Sequence, residues 1–598
     1  AAAYHTVAET VRDLAGVHSH EGKLRAWCSG GGPAPADVAA LTTEAMAARG
    51  EYVWTADLPA AQNGLMVLGS PIGITEFVKA HGERRMTEET KLLDLLPQLP
   101  DTQCAWLLLL LAAIPKANHL LRTVPPSLLE EYTTSHDNAL WATLNKLLGD
   151  PTEEETTDAL SRALATLPAR HGGLGLRSAA RTRPAAYWGS WMDALPVLRK
   201  MQPRLTDSLL HRLEEPPELQ PRALRQATAA QRLLTAQGYE NLPSWREAAR
   251  GLEAPQALDA DSGEWRHGWQ YHGSSVLERH TRNTVVLPTA TPTRRALIRS
   301  QSGHAAGKWL TAMPTCPELT LTPLRMQILL RLRLHYRLPV GPKRCNGRSC
   351  RATLDPYGRH WSACSRSGRL KLRSKPLERA WARVFREAGA RVQDNVLLRD
   401  TDLAGIAAND GRMLEIVATG LPLHRGVPLG VDSTMGAPLH ANGLPHRNAA
   451  DNDGVAIERL ERKKRTTYPE LVGSNRLRLT TLACETGGRW SKECTDTVRR
   501  LAKAKARHAR EDQQAKLAAA YASRWWSLLS IAAQNSLAAS LANDKPRLLD
   551  GVDGEEPDWQ EVLYENQAAP LLPDEPNEET PEDIGVAGNS REEAVVLV

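Results

Sequence analysis

Four zinc-type ligands, Cys345, Cys350, His360 and Cys364, fall within twenty residues in the pattern Cys-x4-Cys-x9-His-x3-Cys. Zinc favours a closed tetrahedron of thiolate and imidazole ligands. In so short a segment the metal would supply most of the folding free energy, about 10–16 kcal/mol in zinc-finger peptides. Gly347, Asp355, Pro356 and Gly358 supply the turns. The segment is therefore expected to fold around structural zinc and to be unfolded without it. The plain alternative is free cysteines beside an unrelated histidine, because spacings of four and nine are not the commonest. Lys343, Arg344, Arg348, Arg351, Arg359, Arg366, Arg369, Lys371 and Arg373 surround the set, and such charge suits phosphate contacts. A zinc staple between domains and a base-reading knuckle are both open at this point.

The chain around this segment has 598 residues, too many for one core, since cores stop growing near ~250–300 residues. Three or four folded units are expected. Residues 546–598 hold fifteen Asp and Glu against two Arg, so with an overall charge of +5 the rest carries about +18. A basic body with an acidic tail fits a polyanionic partner, although a basic surface can also be merely solvated. Eight scattered cysteines are too few for a secreted disulfide framework and favour a reducing compartment. The longest apolar run, Ala105 to Ile114, ends at Pro115 and Lys116, well short of the ~20 residues that span a bilayer. No membrane helix or signal peptide is expected. A start at Ala1 rather than Met points to further sequence upstream.

The pattern along the chain divides it. Residues 1–75 mix helical and extended stretches, as the end of an α/β domain would. Residues 76–250 carry Leu and Ala at three- and four-residue spacing and predict an all-helical unit. Residues 251–340 form a connector, loosely structured over 251–320, that ends in the apolar and basic stretch Leu324–Leu334. After the zinc segment at 341–370, Leu377, Ala380, Trp381, Val384 and Phe385 form one face of a helix at 376–388 that stops at Gly389. Extended segments follow at Met413–Ala418, Leu429–Thr434 and Leu477–Cys484, with a helix over 455–466 and two long helices at 491–510 and 513–542. Residues 371–545 read as a small α/β domain, and the acidic segment 546–598 as disordered.

Within that domain Glu415 lies in Met413–Val417 and Asp432 in Leu429–Asp432, both in apolar strands where an acid is costly unless paired or metal-bound. Two acids on adjacent strands could hold Mg²⁺, which activates water and neutralises charge on a phosphate. Lys464 shares a helical face with Ile457, Leu460 and Tyr468, whereas Lys463 points elsewhere. On this basis Glu415, Asp432 and Lys464 are candidate catalytic residues, the first two as metal ligands. The plain alternatives are Lys464 snorkelling to solvent, Glu415 at an exposed edge and Asp432 capping a turn, and Asp410 and Glu485 are the substitutes if an acid is misassigned.

Taken in order, these residues resemble the C-terminal part of the polyprotein of early-branching, site-specific non-LTR retrotransposons: reverse transcriptase, thumb, zinc knuckle, restriction-like endonuclease. Gly22-Lys23-Leu24 resembles the lysine turn after the polymerase's catalytic strands, and Val67–Gly73 the primer grip. Leu167-Pro168 with Gly172-Gly173-Leu174-Gly175-Leu176 resembles the thumb motif. Those glycines lack the Lys-Ser/Thr of a phosphate loop. Arg412/Glu415, Asp432 and Lys464/Tyr468 match the endonuclease motif, and Gly487–Trp490 its Gly-aromatic segment. Two departures stand out: Leu414-Glu415 replaces the family's Pro-Asp, and no two aspartates are adjacent anywhere, so the polymerase pair is absent. The resemblance implies a multidomain α/β plus mainly α chain: palm remnant, helical thumb and linker, zinc knuckle, restriction-endonuclease-like domain. It further implies structural Zn, catalytic Mg, a DNA target and element RNA as partners, a nuclear location, and strand nicking that in the intact family primes reverse transcription. A binding remnant with a dead cutting site is the alternative, and a helical scaffold with a zinc staple and no nucleic-acid role is a third.

Overall fold

Periodic Leu and Ala make most of the chain helical, and the result is a mixed α/β protein with two small sheets. The computed structural model describes residues 2–16, 18, 24–149, 151–255, 268–340, 344–347, 349–544 and 562. Gly22-Lys23, Lys343, Arg348 and, Val562 apart, the acidic segment 546–598 lie outside the described residues.

Near the N-terminus, β1 (Gly64–Val67) and β2 (Ser70–Gly73) form an antiparallel hairpin. Its two-residue turn places Leu68 and Gly69 at φ 48° and 80°, the left-handed pair that suits the twist of a hairpin. The helices α1 (Thr75–Leu95), α2 (Thr102–Leu108), α3 (Asn118–Thr123), α4 (Glu130–Leu147) and α5 (Ala179–Met201) follow. Asp101 caps α2 through the Gln103 and Cys104 amides. Between α2 and α3 the chain stays helical through a π turn at Leu109–Ala113 and a 3-10 turn at Ile114–Ala117, where Pro115 removes a donor. By length and apolarity Thr102–Thr123 could cross a membrane. In this fold it lies in the core: Trp106 is 0% exposed and donates to the Leu310 carbonyl, and Gln103 bonds Ala312, Leu319 and Leu321 backbone groups.

The loosely structured connector expected over 251–320 is corrected. From Trp269 to Ser300 it is mostly helical, with α6 (Trp269–Thr281) and α7 (Pro292–Ser300), and Trp269, Ile298 and Trp309 are buried; the apolar and basic stretch after it forms α8 (Pro323–Leu334). Its periodicity is hard to see because these helices are short and α7 divides its apolar residues between two clusters, Ala296 in one and Ile298 in the other. The basic positions of α8 have internal partners: Arg325 bonds Asn535 and Asp544, and the other two bond backbone carbonyls. Buried Arg333 donates to Gly173, Ala169, Gln301 and Ala306 oxygens at 2.7–3.3 Å. Arg331 donates to Leu148, Gly149 and Arg337. The Gly172-Gly173 turn is a close approach of backbones, because a Cβ on Gly173 would lie 2.0 Å from the Leu167 oxygen.

After the short zinc-segment helix α9 (Arg359–Ala363), α10 (Arg369–Glu387) leads into a four-stranded sheet: β3 (Arg391–Leu397), β4 (Met413–Thr419), β5 (Leu429–Gly436) and β6 (Arg478–Glu485). The order is β3-β4-β5-β6, with antiparallel pairs up to β5 and a parallel β5–β6 pair. That last pairing needs a crossover, supplied by α11 (Val455–Thr467). The helices α12 (Lys492–Ala506) and α13 (Glu511–Ala542) complete the unit. Strand β3 was not among the expected extended segments. It is an edge strand with mostly exposed polar residues, so it carries little alternation of burial.

One continuous core runs from Leu93 through Trp309, Trp361, Trp381 and Val431 to Leu541, while Trp188, Trp245 and Trp269 belong to a second. The sheet unit is therefore fused to the helical region. Gly487-Gly488 makes that junction: Cβ atoms there would lie 2.6 Å from Ser300 backbone and 2.4 Å from the Ala306 oxygen. Next to it Trp490 packs edge-on to Trp381 and against Trp526.

Candidate active site and metal centre

The four ligands converge. Asp355 caps the turn by accepting from the Tyr357, Arg359 and His360 amides, which brings His360 back over the cysteines. The Sγ atoms of Cys345 and Cys364 are 3.9 Å apart, those of Cys364 and Cys350 3.8 Å, and Cys350 Sγ is 3.4 Å from His360 Nε2. With zinc–sulfur and zinc–nitrogen bonds of about 2.3 and 2.0 Å, a tetrahedron has edges of about 3.8 and 3.5 Å. All four ligand atoms lie within 4.8 Å of one another, so the group can hold a zinc ion. His360 Nδ1 lies 2.9 Å from the Ala441 oxygen, which fixes the tautomer that leaves Nε2 free to ligate.

The basic surround divides in two. Arg369 stacks on Trp361 at 3.7 Å and donates to the Ser540 oxygen and Asn543. Arg373, 1% exposed, donates to the Ser362 oxygen at 2.8 Å. Arg359 lies over the Tyr357 ring. Arg344, Arg351, Arg366 and Lys371 are exposed. The expectation that the whole set suits phosphate contacts is thus corrected for Arg369 and Arg373, which are buried as packing and hydrogen-bond donors.

The structure also brings the carboxylates and the lysine together. The β4–β5 register pairs Ile416 with Val431, and one step further sets Glu415 opposite Asp432. Like charges so placed repel. Glu415 is held by Ser433, whose amide and hydroxyl donate to its Oε2 at 2.6 and 2.8 Å. Asp432, 1% exposed, forms an ion pair with Lys464 at 2.5 Å, without a directed hydrogen bond at its Oδ1. Burial, followed by the negative charges of Asp432 and Glu378, pushes Glu415 up to about 8. Burial also raises Asp432, against the pull of Lys464. Two carboxyls that resist ionisation side by side are what a divalent cation would relieve, so the donor set fits Mg²⁺ through Glu415 and Asp432.

The C-terminal turn of α11 is fixed from below. The Tyr468 hydroxyl donates to the Met413 oxygen at 2.7 Å, and Arg412 donates to the Thr467 oxygen and to Glu470. The same guanidinium holds Asp410, whose carboxyl it keeps below the usual range. Asp410 is therefore engaged outside the Glu415–Asp432 pair. Glu485, four register steps along β6 from the partner of Asp432, accepts the Ala456 amide and caps α11. Neither substitute acid sits beside Asp432.

Sequence reasoning missed Glu378. It lies on α10, is 8% exposed, and its charge acts on both Glu415 and Asp432. Lys375 donates to it at 2.7 Å and to Asn395 at 3.2 Å. Its position could have been found, because residues 378, 381 and 385 share a helical face with the core stripe. No family model matches the chain, and no curated protein matches it.

Proposed function

We propose that this chain is the grip-and-cut part of a retrotransposon-type protein: a zinc-containing, Mg²⁺-dependent DNA endonuclease that nicks a strand and does not polymerise. The observation that carries this reading is the Lys464–Asp432 ion pair at 2.5 Å beside Glu415 on the neighbouring strand. When bound, Mg²⁺ would activate water and offset charge on the phosphate. Glu415 and Asp432 hold the cation, with Glu378 adding negative charge behind them. Lys464 steadies the phosphate oxygens, and Tyr468 with Arg412 fixes the helix that carries it. The zinc unit and the basic body hold the nucleic acid, with element RNA as a second partner and the nucleus as the site of action.

The test is nicking of supercoiled plasmid with Mg²⁺. Activity that disappears in Asp432→Ala supports the reading, and equal activity in wild type and variant overturns it. A second reading, a binding protein with a silent site, is favoured by one contact: Ser433 occupies Glu415 Oε2 with two donors. Steeply salt-dependent DNA binding without any metal-dependent nicking would select it.

A further inference from the structure

A polyanion that is to reach Glu415 and Asp432 needs positive charge along its approach, because Lys464 is paired with Asp432. Positive charge is arranged along α10, which starts five residues after the zinc ligand Cys364. Its basic residues separate by face. Arg369 and Arg373 point inward and are consumed by Trp361 and backbone oxygens. Lys371 and Lys375 are exposed. With Glu378 they fall at i, i+4 and i+7, hence on one side of the helix. Lys375 bridges Glu378 and Asn395 at the edge of the acidic group while its side chain remains 49% exposed. The ammonium of Lys371 has no partner among the described residues. Leu372 beside it is 49% exposed, so the first turns of this face are open, whereas Glu378 further along it is 8% exposed.

Resting on the nuclease reading, we infer that α10 is the strand-holding helix. Lys371 and Lys375 take backbone phosphates of the DNA strand to be cut and lead them from the zinc unit to Glu415 and Asp432. From Lys371 to Glu378 is seven residues, about 10 Å of helix. One strand of a duplex carries a phosphate every ~3.4 Å of axis, so this is about three nucleotides. The helix therefore fixes the offset between the zinc-side contact and the cut. Arg369, Arg373 and the fused core hold it in place.

The test measures binding of a labelled DNA duplex to the full chain between about 50 and 200 mM salt without added Mg²⁺, followed by plasmid nicking with it. Each phosphate contact contributes about 0.9 to the slope of log K against log salt. Lys371→Gln should flatten the slope by about 0.9 and the Lys371→Gln/Lys375→Gln pair by about 1.8, with KM for nicking raised. Lys371 is exposed, so its variant folds as the wild type does. An unchanged slope in both variants overturns the inference, and so does a wild-type chain that binds no DNA. The two readings separate cleanly. Slopes that flatten in a chain that never nicks keep the strand-holding helix and remove the nuclease. Nicking that needs Asp432 but ignores both lysines does the reverse.

Discussion

Substituting Asp432 by Asn should release Glu415 from a neighbour that opposes its ionisation. Opposed residues on antiparallel strands have Cβ atoms about 5 Å apart. Two charges at that distance interact by roughly 3 kcal/mol at an effective dielectric of ~20, equivalent to about two pH units in a pKa. Glu415, at about 8 in the wild type, should therefore titrate about two pH units lower in Asp432→Asn. Lys464, freed from Asp432, pulls in the same direction. A carboxyl raised on folding holds its proton more tightly in the native state. Its stabilising effect is thus complete below the unfolded value near 4.5 and is lost as pH rises towards 8, by up to ~1.4 kcal/mol per pH unit. Glu461, Glu485 and Glu493 are raised by burial as well, so the informative quantity is the difference between wild type and variant. Denaturant unfolding of the metal-free chain from pH 5 to 8 should show the wild type declining throughout and the variant levelling off earlier. Calorimetric Mg²⁺ titration at pH 7 in two buffers of different ionisation enthalpy should show proton release of about one per ion in the wild type only. Parallel stability curves together with no proton release would refute the electrical coupling of Glu415 and Asp432.

Other consequences are as direct. Metal analysis should find one zinc per chain on the Cys345 set, lost in Cys350→Ser, and chelation should expose Trp361, now 5% exposed, as a red shift in tryptophan emission. Arg333→Ala removes the side-chain donor of the buried Gly173, Gln301 and Ala306 carbonyls, while the Ala169 oxygen keeps the Gly172 amide, and should cost at least ~3 kcal/mol at roughly 1–3 kcal/mol each, read as a lower urea midpoint. Gly173→Ala forces a Cβ to within 2.0 Å of the Leu167 oxygen, so the chain should lose several degrees of Tm or fail to accumulate folded. An unchanged melting curve would show that this turn can relax.

Part of the site was legible in the sequence because its grammar is local. The zinc ligands lie within twenty residues, so their spacing carries the geometry, and Lys464 was distinguishable from Lys463 because a helix repeats every 3.6 residues. The strands near 413, 429 and 478 were visible as buried apolar runs. Strand β3 was not, because an exposed edge strand has no burial pattern to read. Nor could sequence choose among Asp410, Glu415 and Glu485. That choice depends on strand register and on which acids Arg412 and the α11 amides engage, and those partners are far away in the chain.

The sequence by itself therefore determined the Cys345, Cys350, His360 and Cys364 ligand set and most of the helical and extended units, β3 and the connector helices excepted. Tertiary structure alone decided that Glu415 faces Asp432, that Glu378 joins them, and that Arg333, Arg369 and Arg373 are spent on internal acceptors rather than on solvent. The physical reason is that a ligand set closed within one loop is fixed by spacing. A site assembled from a helix, two strands and a crossover helix is fixed by packing, where a shift of one residue sends every side chain to the opposite face.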